Sequence, residues 1–423
     1  MNSRELFAQI FENLKVKNYE EIARRRDEIT KALNKEYRGQ GDSIKHQLMV
    51  GSYGRHTAIN GISDLDMLYI LPFDQRNKYR SPDGPSKALA RTRKAILERY
   101  PKTEVKVRQL VVVVQFENLK FEVQPVFADK DGDLLYPDTK SKLWRKTKPR
   151  KEIEAVKIAD DETSGNYRKL CRLTRAWKNK HQVNINGLLI DTLAFNFLKQ
   201  YEPADGEDRP ECMLRDFFLW LSLEPRKSYY MALGSNQKVY VKQHFQKKAQ
   251  VAHDLAEKAI AAGNETSCVK EWRNLLGKPV PLADDKERED QEELVFSEQF
   301  IEDLYPQNIR YTLDIDCTVT NAEGAHYWLS TFLRRSLRLP RERKLLFEVT
   351  YCDVPEPYEI KWKVLNRGEE AKTRNMIRGQ ILDDEGQNKR EESTDFRGNH
   401  YVECYAIKNN ELVARAHITV PIN

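Results

Sequence analysis

Two aspartates separated by one residue, Asp64 and Asp66, open an apolar segment that runs to Leu71. On a β-strand, residues two apart point to the same face, so both carboxylates project together while Leu65 turns towards the core. Two carboxylates on one face repel each other unless a cation or a proton lies between them, and such oxygen ligands suit Mg²⁺ or Mn²⁺. The pair therefore predicts a metal site on a rigid strand, although it is also typical of a solvated turn or strand end.

A turn of small residues precedes the aspartate pair. Gly51 and Ser52 directly follow the apolar strand residues 48–50. Glycine lets the backbone approach a bound group closely, and a serine hydroxyl with adjacent backbone N–H groups can hold phosphate oxygens. Thr57 adds a hydroxyl donor a few residues later. The turn is therefore a candidate phosphate site next to the candidate metal site.

A third carboxylate is expected on a neighbouring strand. Residues 110–116 and 120–127 are rich in β-branched and aromatic residues and are separated by a short turn, which predicts a β-hairpin. In the second arm, Glu122 and Gln124 share one face of the strand. We expect Glu122 to join the aspartate pair, with an exposed strand position as the alternative for this residue taken alone.

The order of these motifs resembles that of the polymerase-β-like nucleotidyltransferases. The segments GSYGRHTAI, SDLDMLYIL and FEVQPVF are similar to the SMODS branch, the bacterial relatives of cyclic GMP-AMP synthase and of the oligoadenylate synthases. The resemblance implies that Asp64, Asp66 and Glu122 are catalytic and hold Mg²⁺ or Mn²⁺. It also implies that Gly51 and Ser52 position the donor triphosphate. Many relatives have Asp in place of Glu122, which is one methylene longer, so the geometry of this ligand is expected to differ.

The same resemblance implies a reaction and a product. Template-independent transfer between nucleoside triphosphates, with ATP or GTP as substrates, releases pyrophosphate, and a further round closes a cyclic di- or oligonucleotide. Such a second messenger acts in bacterial antiphage defence by switching on a separate effector. Two alternatives belong to other classes: addition of nucleotides to RNA ends or to a protein hydroxyl, and a non-catalytic nucleotide-binding sensor. The intact set of three acids disfavours the last, because a scaffold need not retain them.

Arginines recur at helical spacing in the predicted helix 166–180, at Arg168, Arg172 and Arg175. This spacing is typical of a basic surface stripe. A similar Leu-x-Arg-Leu-x-Lys/Arg-x-Trp pattern in the family binds the nucleotide, which implies this role for Arg172 and for Arg175, the latter on the triphosphate. Asp191, in the next apolar helical segment, either orients a ligand or pairs with a neighbouring Arg or Lys.

Composition sets bounds on the class of protein. The 423 residues, 40% hydrophobic and 32% charged, indicate an ordered soluble chain of two or three domains. A net charge of +6 is too small to identify a nucleic-acid binder. The six dispersed cysteines form no C-x-x-C pair, which predicts reduced thiols in a cytoplasmic protein. No segment is typical of a membrane span, and residues 1–11 are typical of neither a signal peptide nor an anchor.

The elements that would position the site follow in order along the chain. Amphipathic helices are predicted up to residues 39–41, a polar loop at 74–85, a basic loop or phosphate-attracting rim at 129–150 and a helical segment at 239–262. Six strand-like segments dominate the C-terminal region.

The wording WKVLNRGEEA and RGQI in that region resembles the AGS-C sensor domain, which implies an unknown activating ligand there. We predict an α+β fold with a polymerase-β-like nucleotidyltransferase core, a helical half and a C-terminal β-sandwich-like domain. The expected boundaries are 1–150 for the catalytic core with its brace helices, 151–283 for the helical nucleotide-binding half, 284–304 for a charged linker and 305–423 for the sensor domain.

Overall fold

The computed structural model describes residues 2–62, 64–203, 209–281, 299–305, 307–321, 324–335, 337–366, 370–371, 378–384, 386–395 and 397–423. The chain divides into two compact units, Met1–Asp42 with Met49–Asp285 and Ser43–Leu48 with Lys286–Asn423. Most of the predicted linker 284–304 lies outside the described residues. Among those residues, no helix has both the length and the apolar composition needed to traverse a membrane.

The part of the chain before residue 282 combines a mixed sheet with many helices. The helices are α1 (Ser3–Leu14), α2 (Tyr19–Arg38), α3 (Gly51–Gly54), α4 (Gly84–Arg99), α5 (Pro149–Glu162), α6 (Asn166–Lys180), α7 (Gly187–Leu198), α8 (Pro210–Leu223), α9 (Gln246–Ile260) and α10 (Glu265–Leu276), with a 3₁₀-helix at Phe73–Tyr79. The strands are β1 (Gln47–Met49), β2 (Asp64–Ile70), β3 (Glu104–Val107), β4 (Val112–Gln115), β5 (Lys120–Ala128), β6 (Leu134–Asp138), β7 (Leu143–Thr147), β8 (Tyr229–Met231) and β9 (Lys238–Tyr240).

The main sheet brings two separate stretches of sequence side by side. Its neighbouring strands follow the order β1-β2-β5-β4-β3, and β6 and β7 continue from β5. Strands β2 and β5 run parallel, whereas β4 and β5 form an antiparallel hairpin, as the alternation of their residues predicts. In the parallel register, Asp66 lies beside Glu122 and Asp64 lies beside Lys120.

Helix α2 supports the strand that carries the aspartates. Gly39, with φ of 70°, ends this helix in the left-handed conformation that glycine adopts at little cost. The Tyr69 hydroxyl of β2 donates a hydrogen bond of 2.9 Å to the Asn34 side chain of α2. The Tyr37 hydroxyl lies 2.9 Å from the hydroxyl of Thr92 on α4. Buried polar contacts of this kind are expected to fix the position of β2 relative to the helices behind it.

A second core lies between α1 and the helices from α5 onwards. Large buried side chains in this cluster include Trp177, Phe217, Phe218 and Trp272. Aromatic side chains of this size remove the most apolar area from water, so they dominate the stability of the helical part. The apolar segment that contains Asp191 is helix α7, and seven of its residues are buried: Leu189, Ile190, Asp191, Thr192, Leu193, Ala194 and Phe197.

Three local predictions are wrong in detail. Residues 129–150 contain the hairpin β6–β7 instead of a loop, and Trp144 of this hairpin packs on Phe127 with ring centroids 4.9 Å apart. Several basic side chains of this segment pair with acids of the same segment, as in the 2.8 Å pair of Lys146 with Asp129. The helix predicted over 239–262 begins only at Gln246, because the residues before it pair as β8–β9. The loop predicted over 74–85 contains most of the 3₁₀-helix.

The C-terminal region is built from antiparallel sheets, which confirms its predicted β-rich class. The described strands are β10 (Leu313–Thr320), β11 (His326–Trp328), β12 (Lys344–Cys352), β13 (Glu359–Leu365), β14 (Arg378–Asp383), β15 (Lys389–Ser393), β16 (Gly398–Lys408) and β17 (Glu411–Ile422). They form one sheet in the order β11-β10-β12-β15 and another in the order β14-β13-β16-β17. Both sheets supply one common core, with Cys317 and Phe347 from the first and Trp362 and Cys404 from the second.

Candidate active site

Three carboxylates share one face of the β2–β5 pair. Asp64 and Asp66 are two residues apart on β2, and Glu122 is the register neighbour of Asp66 on β5. Their exposure differs, since 62% of the Asp64 side chain and 32% of the Glu122 side chain are accessible to solvent. Lys120, whose Nζ lies 3.1 Å from Asp64 Oδ1 and 3.2 Å from Glu122 Oε1, joins these two acids. The three acids therefore occupy adjacent positions on one strand pair, with an ammonium group between two of them.

The environment of Asp66 disfavours its charged form. Burial, and then the negative charge of Glu122, raise the pKa of Asp66 to about 6, while the nearby Arg55 acts in the opposite direction. A carboxylate under these conditions gains stability from any added cation. The site therefore has the electrostatic character of a metal-binding or proton-binding centre.

The turn at Gly51 directly contacts the acid at its centre. Gly51 has φ of 64°, and a Cβ placed on it would stand 1.9 Å from Oδ2 of Asp66. The preceding residue, Val50, donates its N–H to the Asp66 carbonyl at 2.9 Å. The carbonyl of Ser52 accepts hydrogen bonds from the N–H groups of Thr57, at 2.9 Å, and of Ala58, at 3.1 Å. The backbone of this turn is thus held against the carboxylate, as close approach at a glycine requires.

Replacing Gly51 by alanine is expected to lower activity by about a hundredfold, because its methyl group displaces the Asp66 carboxylate. The measurement is the initial rate of the reaction that the family resemblance implies, nucleotidyl transfer at saturating triphosphate. Gly39→Ala is a matched control, since Gly39 has a similar φ of 70° but no atom within 4 Å of the added Cβ. It is expected to lose about 1 kcal/mol of stability and to keep its activity. Equal rates for the two variants would contradict the proposed contact.

A cavity of about 580 Å³ lies beside the acids, with Asp66, Glu122 and Gln124 among its lining residues. Its wall includes the turn 108–111, which joins β3 to β4. The Gln124 side-chain amide donates to the carbonyl of Leu110 at 3.0 Å and thereby ties this turn to β5. A cavity of this size can accommodate a nucleotide-sized ligand.

Asp191 lies at the centre of a buried ionic cluster. Arg55 Nε lies 2.8 Å from Asp191 Oδ2, and Arg175 Nη2 lies 2.7 Å from Asp191 Oδ1. The Thr57 hydroxyl donates to Asp191 Oδ2 at 3.2 Å. Burial alone would raise the pKa of Asp191, but the charges of Arg175 and Arg55 outweigh it and hold that pKa below its usual value. The cluster attaches the loop after Gly51 to helices α6 and α7.

Three of the four side chains that the sequence predicts to bind the nucleotide, outside the turn itself, take part in this ionic cluster. Of the two possibilities left open for Asp191, the structure has the pairing with arginine. Arg175 is largely buried in that pair, and Thr57 contacts the same carboxylate. Arg172 lies apart from the pair, where its Nη2 donates to the carbonyl of His56 at 3.1 Å. Contact of any of these side chains with a nucleotide stays a prediction.

Sequence reasoning missed several residues of the site. Arg55 closes the GSYGR segment, and its Nη1 also lies 3.6 Å from Oε2 of Glu152, whose other oxygen, Oε1, accepts a hydrogen bond of 2.9 Å from the Ser235 hydroxyl. Nothing in the spacing along the chain connects these three positions. Lys120 could have been found, because it precedes Glu122 by two residues and must share its face on a strand.

The acids fit an open metal site better than a closed one. Among the described residues, no group of three or more His, Cys, Asp and Glu side chains is placed so that it could hold a metal ion. Mg²⁺ commonly uses one or two carboxylates and completes its octahedral shell with substrate phosphates and water. Asp66 and Glu122, with Asp64 beside them, provide oxygen donors of this type on one face.

Comparisons with known proteins agree with this architecture. The cyclic AMP-AMP-AMP synthase of Acinetobacter sp. is 23% identical over 266 residues, which span 56% of this chain and 73% of that synthase. The cytidylate cyclase of Staphylococcus aureus is 32% identical over 83 residues, 19% of this chain and 20% of the cyclase. The Escherichia coli MS115-1 CdnC structure, determined as a complex with HORMA-deltaN, shares the fold with a TM-score of 0.50 and 17% identity, covering 66% of this chain and 97% of that one.

Two family profiles match most of the described sequence. Residues 1–159 match the Second Messenger Oligonucleotide or Dinucleotide Synthetase (SMODS) domain, which includes the turn at Gly51 and all three acids. Residues 296–423 match the Adenylyl/Guanylyl and SMODS C-terminal sensor domain. The chain therefore belongs to the SMODS nucleotidyltransferases, which synthesise oligonucleotide or dinucleotide second messengers, and carries the sensor domain of that family at its C-terminal end.

Proposed function

We propose that this chain joins nucleoside triphosphates into a cyclic di- or oligonucleotide in a reaction that depends on Mg²⁺ or Mn²⁺ and on Asp64, Asp66 and Glu122. The observation that supports this most directly is the parallel register of β2 and β5, which brings Glu122 beside Asp66 across more than fifty residues of intervening chain. ATP and GTP are the expected substrates. The cyclic product is expected to act on a separate effector in bacterial antiphage defence.

The turn at Gly51 and Ser52 has the features needed to receive the donor triphosphate. The absence of a side chain at Gly51 lets the turn lie directly against the Asp66 carboxylate, so a phosphate bound at the turn would lie next to the acids. The hydrogen bonds from residues 57 and 58 to the Ser52 carbonyl fix the turn before any substrate arrives. A site ordered in advance spends less binding free energy on orienting the α-phosphate for in-line attack.

The acids would hold the metal and the acceptor hydroxyl close to that phosphate. A divalent ion bound by Asp64, Asp66 and Glu122 would lower the pKa of the attacking hydroxyl and neutralise the charge that develops on the phosphoryl oxygens. Asp66 is half-buried beside Glu122, so a bound cation would stabilise its charged form. Glu122 is about one third exposed, at 32% of its side chain, and is therefore accessible to an acceptor.

The binding of a divalent cation is expected to weaken below about pH 6. The pKa of Asp66 is raised to about 6, so below this pH the carboxyl is neutral in the folded protein and a metal must displace its proton. Affinity should fall by about tenfold for each pH unit below that pKa and change little above it. Mn²⁺ titrations by calorimetry at pH 5, 6 and 7.5 test this in the absence of nucleotide. Asp66→Asn should bind Mn²⁺ weakly and without this fall in affinity below about pH 6. A fall that persists in the variant would exclude Asp66 as its origin.

The alternatives differ in the product that they predict. An enzyme that extends RNA ends or modifies a protein hydroxyl would leave label on a macromolecule, and a non-catalytic sensor would form no product. Purified protein with Mg²⁺ or Mn²⁺ and all four labelled ribonucleoside triphosphates tests all three. We expect small phosphatase-resistant nucleotides, identified by chromatography and mass spectrometry. Label that appears only on added RNA or protein would overturn the proposal.

The C-terminal sensor domain is proposed to bind an activating ligand. Its two sheets enclose a continuous core, with Trp362 almost fully buried, so it has the packing of a stable binding module. Activity measured with and without extracts of phage-infected cells would identify a fraction that carries the signal.

A further inference from the structure

Lys120 occupies the position between two of the acids. Its ammonium lies 3.1 Å from Asp64 and 3.2 Å from Glu122. Lys120 is the register neighbour of Asp64, and Glu122 is that of Asp66, so the four side chains form a two-by-two array on one face of β2 and β5. In this array a single ammonium faces three carboxylates.

The ammonium interacts with the same oxygens that a divalent cation would use. A lysine side chain offers three N–H donors but only one positive charge, so it satisfies two carboxylates without neutralising all three. It is about one quarter exposed, at 26% of its side chain. Its four-carbon stem is flexible, and solvent access gives it room to leave the array.

We propose that Lys120 is a positioning residue that holds Asp64 and Glu122 together in the metal-free enzyme and competes with the metal for them. This inference rests on the function proposed above. When the metal binds, Lys120 must give up both carboxylates, and a triphosphate in the adjoining cavity is the anion that it can then contact. Lys120 thereby weakens metal binding in the absence of substrate and strengthens the binding of the triphosphate itself.

The test uses two measurements whose expected changes have opposite signs. In Lys120→Met, calorimetric titration with Mn²⁺ alone should give a dissociation constant at least about tenfold lower than in the parent protein, because a competing cation has been removed. Titration with a non-hydrolysable ATP analogue at saturating Mn²⁺, where the metal has released Lys120 from the acids, should give a dissociation constant about tenfold higher, because a phosphate partner has been lost. A variant with a merely damaged site would bind both probes more weakly. Lys120→Arg, which keeps the positive charge, should resemble the parent in both titrations.

The control is another lysine of the same sheet. Lys106 on β3 pairs with the exposed Glu104, so Lys106→Met removes an equal charge away from the acids and should change neither constant. If Lys120→Met binds Mn²⁺ no more tightly than the parent, Lys120 does not compete with the metal and the inference fails. If Asp66→Asn binds Mn²⁺ as tightly as the parent, the acids are not the metal site and the proposed function itself fails. The two failures are therefore distinguished by different variants.

Discussion

Replacing Asp64 and Asp66 together by asparagine should lower the rate of nucleotide product formation by about a thousandfold or more. Asparagine has nearly the same shape as aspartate but lacks the charge, so the β2 strand would keep its position and lose its affinity for a divalent cation. The measurement is the initial rate of formation of phosphatase-resistant nucleotides from labelled triphosphates with Mn²⁺. Calorimetric titration with Mn²⁺ gives a second readout that does not require turnover.

The double variant is expected to remain folded. The pKa of Asp66 is raised by burial and by Glu122, which means that its charge destabilises the metal-free protein at neutral pH. Removing that charge should leave the melting temperature of the metal-free protein unchanged or higher. Asp74→Asn is the matched control, because Asp74 is exposed on the 3₁₀-helix. A double variant as active as the wild type would refute the assignment of the acids.

The acids could be predicted because local rules determine where they point. Alternation on a strand places Asp64 and Asp66 on one face of β2. The same rule places Glu122 and Phe121 on opposite faces of β5. What alternation could not give is the pairing of β2 with β5, which the order of motifs in the family supplied. The structure confirms that pairing and thereby the polymerase-β-like fold of the core.

The rest of the site depends on contacts between distant parts of the sequence. Arg55 and Asp191 are separated by 136 positions, and no periodic pattern links a residue in a turn to one within a helix. The helical spacing of Arg172 and Arg175 predicted a shared stripe, yet their contacts differ, since only Arg175 pairs with Asp191. Similarly, the Asp, Gly and Lys residues of 129–150 are typical of a loop, whereas packing of Trp144 on Phe127 stabilises a hairpin there. Tertiary contacts override local composition in both cases.

The second large effect is expected from Asp191→Asn, which should lower the free energy of unfolding by about 3 to 5 kcal/mol. Asp191 is fully buried, and its loss of charge would leave the guanidinium groups of Arg55 and Arg175 without their shared partner. Burying an uncompensated charge is costly, because neither arginine can lose its proton at neutral pH. Urea unfolding followed by tryptophan fluorescence measures the change.

A surface ion pair provides the matched control for Asp191→Asn. Asp216 accepts a hydrogen bond of 2.8 Å from Arg215 on the same helix, in a pair that is about 30% exposed on both sides, at 27% and 31%. Asp216→Asn should therefore lower the free energy of unfolding by less than about 1 kcal/mol.

A second variant tests the role of Arg175. Arg175→Met should destabilise the protein, so its KM for ATP is measured at a temperature where the variant is folded. This KM distinguishes a purely structural role of Arg175 from contact with the triphosphate. An unchanged KM would assign Arg175 to the buried pair alone, whereas a KM raised about tenfold would place it on the triphosphate as the family resemblance implies. Arg55 links the ionic cluster around Asp191 to the turn at Gly51. A fall in the kcat of Arg175→Met without a change in its KM would therefore show that the Arg175–Asp191 pair supports the catalytic turn.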